Sequence, residues 1–422
     1  MKAVLRLALK SAWARRLTLG IALVAIAIAA ALLLAVERVR HDARASFTQS
    51  ISGVDLVVGA RTGGVQLMLH AVFHAGAATN NIRWDSFAAI AANPAVDWAV
   101  PLVLGDGHRG FPVVGTSAAY FERFRHADGR PLVFATGRPF AGTVAALFEA
   151  VLGSEVAREL GYRAGDRITL THGMAELGPE HADKPFAVVG VLAPTGTPVD
   201  RSVHVSLEAI TAIHLDWAGG APLPGLAIPA EHVRKFDLAP REITAALVGL
   251  RNRADVFRVQ RAINDYRGEP LAAVMPGVAL DELWQTLGAV ERTLFAISSL
   301  VVAVGLAGLT ATLLAGLDER RRELAILRAL GAGPRAIFLM LTAEGLLVTA
   351  LGVLLGVALI TAGVAALAPF LQEYGVRLAP RPPAGNEWWL VASILATGLL
   401  ASLVPGWRAW RMSLADGLTP RT

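Results

Sequence analysis

The sequence predicts an integral membrane protein with an all-α transmembrane part of four helices in a one-plus-three arrangement. An α+β domain is inserted between the first and second of these helices. Three observations predict it. Hydrophobic residues make up 54% of the 422 residues and charged residues only 17%, below the roughly 25% charged of soluble domains. Four long apolar runs carry almost no charge. Basic residues gather in some of the segments that flank them and avoid others. Cysteine is absent, which excludes a disulfide-stapled secreted module, thiolate nucleophiles and Cys-ligated zinc or iron–sulfur centres.

The first apolar run is Leu17–Val36 and the second Thr293–Leu317. The third extends from Gly345 to Phe370 and the fourth is Trp388–Trp407. Twenty helical residues at about 1.5 Å each already give ~30 Å, the thickness of the hydrocarbon layer. A cleaved secretory signal is the alternative for the first run, but its length exceeds the usual h-region of about 7–15 residues and Glu37-Arg38 follows directly. The chain is integral on either reading.

Lys2, Arg6, Lys10, Arg15 and Arg16 precede the first run, and Arg320, Arg321, Arg322, Arg328 and Arg335 lie between the second and third. Arg408, Arg411 and Arg421 follow the fourth, whereas the connection between the third and fourth holds only Arg377 and Arg381. Basic residues in short loops stay in the cytoplasm. Both termini and the 318–335 loop are therefore expected inside and residues 37–292 outside. The net charge of +5 then reflects topology, and nucleic acid is not an expected partner.

Within 37–292, apolar runs ended by glycine and proline read as strands at Val54–Val58, Phe111–Val114, Ile168–Thr171, Phe186–Leu192 and Val203–Val205. Helical patterns fall at Ser154–Leu160, Leu207–Ile213 and Ala254–Asp265, which together give an α+β domain in two lobes. Turns are expected at Pro194–Pro198 and Gly219–Gly225. The first membrane helix is expected to continue outward to Ser46, and an amphipathic stretch, Leu280–Arg292, to lead into the second. Arg38 and Arg40 are available to pair with Glu282 and Glu291, or to remain solvated. The division expected is 1–40 (N-terminus and first helix), 41–288 (outer domain) and 289–422 (three helices and tail).

The inner loop supplies a short amphipathic helix, 320–331. Leu324, Ile326, Leu327 and Leu330 make its apolar patch, Arg320, Arg321, Arg322, Glu323 and Arg328 surround it, and Gly331 ends it. A basic amphipathic helix can lie on anionic lipid or enter a groove on a partner protein. Glu319-Arg-Arg-Arg-Glu-Leu-Ala-Ile-Leu-Arg-Ala-Leu-Gly-Ala332 resembles the coupling-helix signature of the FtsX-like permeases, which include the MacB exporter and the LolC/LolE lipoprotein extractors. The tail Val404–Arg421 is similar to that family's end, although Ser413 and Leu414 stand where the family usually has proline. Gly53–Val58, Ala135–Phe140, Leu152–Leu160 with Gly165–Ile168, and Phe186–Val191 resemble segments of the MacB-type periplasmic core.

The resemblance implies a permease subunit in the bacterial inner membrane, working as a homodimer or with a sister permease. A separate cytoplasmic ABC ATPase would bind ATP and Mg, and the helix 320–331 would carry its movement through the bilayer to the periplasmic domain (mechanotransmission). A periplasmic adaptor or binding protein is a further candidate partner. The alternatives within the family are a lipoprotein-releasing permease of the LolC/LolE kind and an FtsX-like scaffold that controls periplasmic hydrolases without transport. The residues support part of this directly. No G-x-x-x-x-G-K-[ST] loop occurs, so ATPase activity is expected of a partner and no cofactor of this chain.

Ala303, Ala307, Ala311 and Ala315 recur at four-residue spacing in the second run, and Gly352 and Gly356 in the third. Small faces let helices approach closely in lipid, either inside one protomer or at a dimer seam. Glu344 stands near the inner start of the third run, where it faces cytoplasmic arginines or marks an ion path.

All ten histidines fall between His41 and His232. His70 and His74 have the i, i+4 spacing that places two imidazoles on one helix face, where they could share a metal. His172, His181 and His204, with Glu176, Glu180 and Asp183, are further candidates. Ordinary hydrogen-bonded histidines are the alternative. Pro194–His204 is similar to members of the family associated with periplasmic zinc handling, which makes zinc the candidate ion. Ser154 lacks the second glycine of a nucleophile elbow and the outer carboxylates are scattered, so no catalytic residue is proposed.

Overall fold

The computed structural model describes residues 15–75, 80–127, 129–173, 179–218, 221–223, 225, 227–329, 331–373 and 380–411. The chain divides into two compact units, residues 1–43 with 287–422, and residues 44–286.

Among the described residues, four helices are long and apolar enough to cross a membrane: Arg16–Gln49, Pro276–Leu317, Pro334–Ala368 and Asn386–Arg411. One precedes the strands in the chain and three follow them. The first helix runs unbroken past Val36, and the second begins at Pro276, a residue whose fixed φ suits a first helical position. Both polar extensions read from the sequence are thus helical.

Leucines and small residues pack the helices of the first unit together. Leu19 and Ile26 meet Leu306, Leu309, Leu313 and Val348, and Ala30, Leu33 and Leu34 meet Val353, Val391 and Ile394. The third helix approaches the first through glycine. A Cβ on Gly352 would lie 2.8 Å from Ile26 Cγ2, and one on Gly356 2.7 Å from the Ala27 carbonyl oxygen. These two glycines therefore serve packing inside the chain. Ala303, Ala307, Ala311 and Ala315 fall on the exposed side of their helix. Gly345 and Gly398, not singled out from the sequence, are where the third and fourth helices touch, against Ser402 and Thr349.

Arg38 does not wait for a partner on the second helix. It pairs with Glu387 at 2.8 Å, and Arg40 pairs with Glu37 one turn away at 2.7 Å.

The second unit is built on an eleven-stranded mixed sheet. The path runs Leu271–Val274, Leu56–Ala60, Ala245–Leu250, Val96–His108, Phe111–Thr116, Val203–Ser206, Glu149–Leu152, Phe186–Leu192 and Phe134–Gly137. Arg167–Ile168 pairs with Phe186–Leu192, and Thr171–His172 pairs with Val96–His108. These strands share one hydrogen-bonded path. Three hydrophobic clusters line it, centred on Phe121 and Phe140, on Phe186 and Ile213, and on Phe87 and Val259. Burial alternates along Phe186–Leu192, with every second residue inside, the period of a strand with one covered face.

The strand Val96–His108 carries a bulge. Its register against Phe111–Thr116 jumps between Leu104, opposite Val114, and Gly107, opposite Pro112. Gly105 and Asp106 therefore face one residue. Gly105 adopts φ +146°, a value that side chains disfavour and glycine tolerates. Bulges commonly re-aim side chains beside functional sites.

Candidate functional site

Two clusters of polar side chains stand out, one in each unit. In the helical unit, the short helix expected over 320–331 is observed as Arg321–Ala329. Its apolar residues do not form one exposed patch. Leu324 and Leu327 are buried against Leu317, Ile337, Leu341 and Ala409, because residues three apart share a helix face. Ile326 points the other way and is 56% exposed. Glu323 and Gly331 are exposed. Leu330 lies outside the described residues, as does the side chain of Arg322.

Arginines and one carboxylate hold this helix in place. Glu344 accepts from Arg15 at 2.5 Å and from Arg320 at 2.9 Å, with all three side chains largely buried. Arg320 also reaches Glu323 at 3.5 Å. Arg328 donates to the Ala409 and Trp410 carbonyls at the end of the last helix. Glu344 thus faces arginines, one of the two roles read for it, and ties the first helix to the residue that precedes the short one.

In the strand unit, register and helix ends bring one carboxylate and three imidazoles together. Thr171–His172 pairs antiparallel with Val96–His108 and sets His172 opposite Asp106. Ser206 caps the helix Leu207–Ile213 by accepting from the Ala209 amide, and His214 stands at the other end. His181 follows the 173–180 connection, anchored by its amide to the Leu170 carbonyl at 2.8 Å. One ligand-capable atom from each of Asp106, His172, His181 and His214 lies within 4.8 Å of all the others.

The distances define a triangle. His172 Nδ1 lies 3.1 Å from His214 Nε2 and 3.2 Å from Asp106 Oδ1, and His214 Nε2 lies 3.4 Å from the same oxygen. Among the described residues, Asp106 Oδ1 nonetheless accepts no well-directed hydrogen bond, and both ring nitrogens of His181 lack a hydrogen-bond partner. His181 is wholly buried and Asp106 5% exposed, while His172 and His214 reach the surface. His214 Nδ1 contacts the Ile210 carbonyl at 2.9 Å, which leaves Nε2 as the lone-pair nitrogen of the neutral ring. Trp217 packs on His181 with ring centroids 4.1 Å apart.

Burial and the Asp106 carboxylate set the electrostatics of this cluster in opposite directions. Burial drives the His181 imidazole down to about 4. Burial alone would lower His214 too, but Asp106 and the Ile210 carbonyl outweigh it and raise its pKa. Lys184, wholly buried, sits between Asp183 at 2.6 Å and Asp216 at 3.0 Å.

The other candidate histidines are placed differently. The helix carrying His70 ends at Ala71, with Val72 as its cap, so His74 does not share its face. His74 adopts φ +51° and contacts Ser202 Oγ at 3.1 Å. His204 is buried against the rings of Tyr120 and Phe121. The segment Pro194–His204 is held by its own hydrogen bonds. Asp200 accepts from the Thr195 and Gly196 amides and the Thr195 hydroxyl, and Thr197 caps the turn. Glu180 bonds Thr169, Asp183 is taken by Lys184, and Glu176 lies outside the described residues.

His214 and Asp106 were not among the residues chosen from the sequence. The only local signal for Asp106 is Gly105-Asp-Gly107, which reads as a turn. The fold brings the pair together through the bulge and the register.

Four apolar helices and a sheet-based domain between the first and second define the class: a membrane permease with a periplasmic domain. The chain belongs to the FtsX-like ABC permeases with a MacB-like periplasmic core. The family model of the MacB-like periplasmic core domain matches residues 19–266, and that of the FtsX-like permease C-terminal region matches 295–414.

Relatives include the macrolide export ATP-binding/permease protein MacB of Azoarcus sp. (strain BH72), 28% identical over 230 residues, 54% of this chain and 32% of that protein. The protein of the same name from Rhodospirillum rubrum is 28% identical over 232 residues, with the same coverage. The chain thus spans about a third of the length of these curated relatives. Among solved structures, the periplasmic region of MacB from Actinobacillus actinomycetemcomitans matches at 12% identity and TM-score 0.32, over 57% of this chain and 94% of that one. The extracellular domain of the ABC-type transporter YknZ from Gram-positive bacteria matches at 12% identity and TM-score 0.29, over 52% and 98%.

Proposed function

We propose that this chain is a mechanotransmitting permease: a cytoplasmic ABC ATPase pushes on it, and the movement reaches the periplasmic domain. The observation that carries the reading is the short helix Arg321–Ala329. Its Leu324–Leu327 face is built into the helical unit, its neighbour Arg320 is tied through Glu344 to the first helix, and Ile326 faces outward. A helix held in this way transmits force to the bundle while leaving a free face for a partner. ATP and Mg belong to that partner, since no phosphate-binding loop occurs in these 422 residues.

On this reading both termini and the short helix are cytoplasmic, as the positions of the arginines favour. A second permease chain, identical or related, pairs along the exposed Ala303–Ala315 side of the second helix. The periplasmic movement serves export or envelope homeostasis, with a cargo received outside the cytoplasm.

Co-purification and ATPase measurements with the cognate ATPase test the proposal. Ile326→Asp places a charge on the free face and should abolish both association and stimulation while the chain stays folded in the membrane. Unchanged association and stimulation by this variant would overturn the assignment of the helix. Leu327→Asp is unsuitable, because it buries a carboxylate among Leu317, Ile337 and Leu341.

A further inference from the structure

We propose that Asp106, His172, His181 and His214 form a binding site for one divalent transition-metal cation of the zinc class. The inference is independent of the permease reading, since it concerns the second unit alone and needs no ATPase.

Geometry argues first. Donor atoms bound to one tetrahedral cation at about 2.0–2.1 Å stand roughly 3.3–3.4 Å apart. The triangle of His172 Nδ1, His214 Nε2 and Asp106 Oδ1 has edges of 3.1, 3.2 and 3.4 Å. That is one face of such a tetrahedron before any adjustment. His181 supplies the fourth corner within 4.8 Å.

Unpaired buried polar atoms point to the same place. Buried polar atoms are nearly always paired, because an orphan costs its full desolvation. Among the described residues, a carboxylate oxygen and both nitrogens of a fully buried imidazole have no hydrogen-bond partner. Asp106 and His181 each bring one donor atom to a group lying within 4.8 Å, so a cation there would engage the carboxylate and one of the two imidazole nitrogens.

Surrounding groups agree with this. Metal-bound histidines usually donate their other ring N–H to a carbonyl or carboxylate, which fixes the tautomer. His214 does so to Ile210. The charges balance as well: one carboxylate leaves a dication at +1, and Lys184 with Asp183 and Asp216 sums to −1 nearby. Three imidazoles with one carboxylate select Zn²⁺, Co²⁺, Ni²⁺ or Cu²⁺ over the oxygen-seeking Ca²⁺ and Mg²⁺. His172 and His214, partly exposed, give the ion a way in from solvent. Once bound, it would fasten Thr171–His172 and the end of the helix Leu207–Ile213 to the bulged strand.

The test uses the full chain in detergent, without a polyhistidine tag, stripped with chelator. Equilibrium dialysis against Zn²⁺ with elemental counting should give one ion per chain, undisturbed by excess Mg²⁺ or Ca²⁺. Co²⁺ should produce the intense visible bands of a tetrahedral centre and quench Trp217. The variant Asp106→Asn/His214→Gln should bind at least about 100-fold more weakly, whereas His70→Gln/His74→Gln should bind like the parent. Should the first variant fail to fold, histidine modification mapped by mass spectrometry on the parent chain decides. Zn²⁺ should then protect the partly exposed His172 and His214 and leave His232 reactive. Substoichiometric binding by the parent, a six-coordinate cobalt spectrum, equal affinity in the Asp106→Asn/His214→Gln variant, or protection elsewhere would overturn the proposal.

Discussion

Arg38, on the first long helix, is bound by Glu387 at the start of the last, through Nε at 3.3 Å and Nη2 at 2.8 Å. The two side chains are 0% and 2% exposed. Arg381 approaches the same carboxylate at 3.1 Å and reaches Asp42 at 3.1 Å. A buried pair of this kind offsets its own desolvation only while both members are present.

Glu387→Ala should therefore destabilise the helical unit by about 3–5 kcal/mol, since Arg38 is left charged and buried. The double variant Arg38→Met/Glu387→Met should recover most of that loss. Thermal unfolding in one detergent compares the three chains. A Glu387→Ala chain that melts with the parent would show that the pair carries no such weight.

Acid should weaken the second unit through His204. The ring is fully buried between Tyr120 and Phe121, and burial drives its pKa from 6.5 to about 4. Below pH 6.5 the unfolded chain takes up a proton that the folded chain refuses, so stability falls with pH until about 4 and is complete above 6.5. By pH 5 the loss from this residue is about 2 kcal/mol, at 1.36 kcal/mol per unit. His204→Phe keeps an aromatic ring and removes the titration. From pH 7 to pH 5 the variant's unfolding free energy should gain on the parent's by that amount. A constant difference would contradict the assignment.

Periodicity and helix signals carried much of the architecture. Ser154–Leu160 and Leu207–Ile213 are helices over the ranges their apolar spacing indicates, and Phe186–Leu192 is the strand its alternation indicates. The long central strand Val96–His108 is harder to see. Pro101, Gly105, Asp106 and Gly107 all read as breakers, yet the neighbouring strands absorb them through a bulge. The candidate cluster was half legible for the same reason. His172 and His181 stand out as histidines in an outer domain. Asp106 and His214 join them only through cross-strand register and a helix end, relations between distant residues that local spacing does not encode. At the short helix, spacing gave a shared face for Leu324 and Leu327 but not its direction, which the packing of Leu317, Ile337 and Leu341 decides.

Two glycines of the third helix should respond oppositely to the same substitution. Alanine is the better helix former by roughly 0.5–1 kcal/mol, so where space is free the change is neutral or favourable. Gly363 has nothing within 4 Å of an added Cβ, whereas at Gly356 that atom meets the Ala27 carbonyl oxygen at 2.7 Å and Ala30 Cβ at 2.9 Å. Neither neighbour can swing aside, because one is backbone and the other is the first atom of its side chain. The first and third helices must then separate, at a cost of about 1–3 kcal/mol. Gly356→Ala should lower the melting temperature of the chain in detergent, and Gly363→Ala should leave it unchanged or raise it. Equal melting of the two variants would mean that the close approach at Ala27 does not hold these helices together.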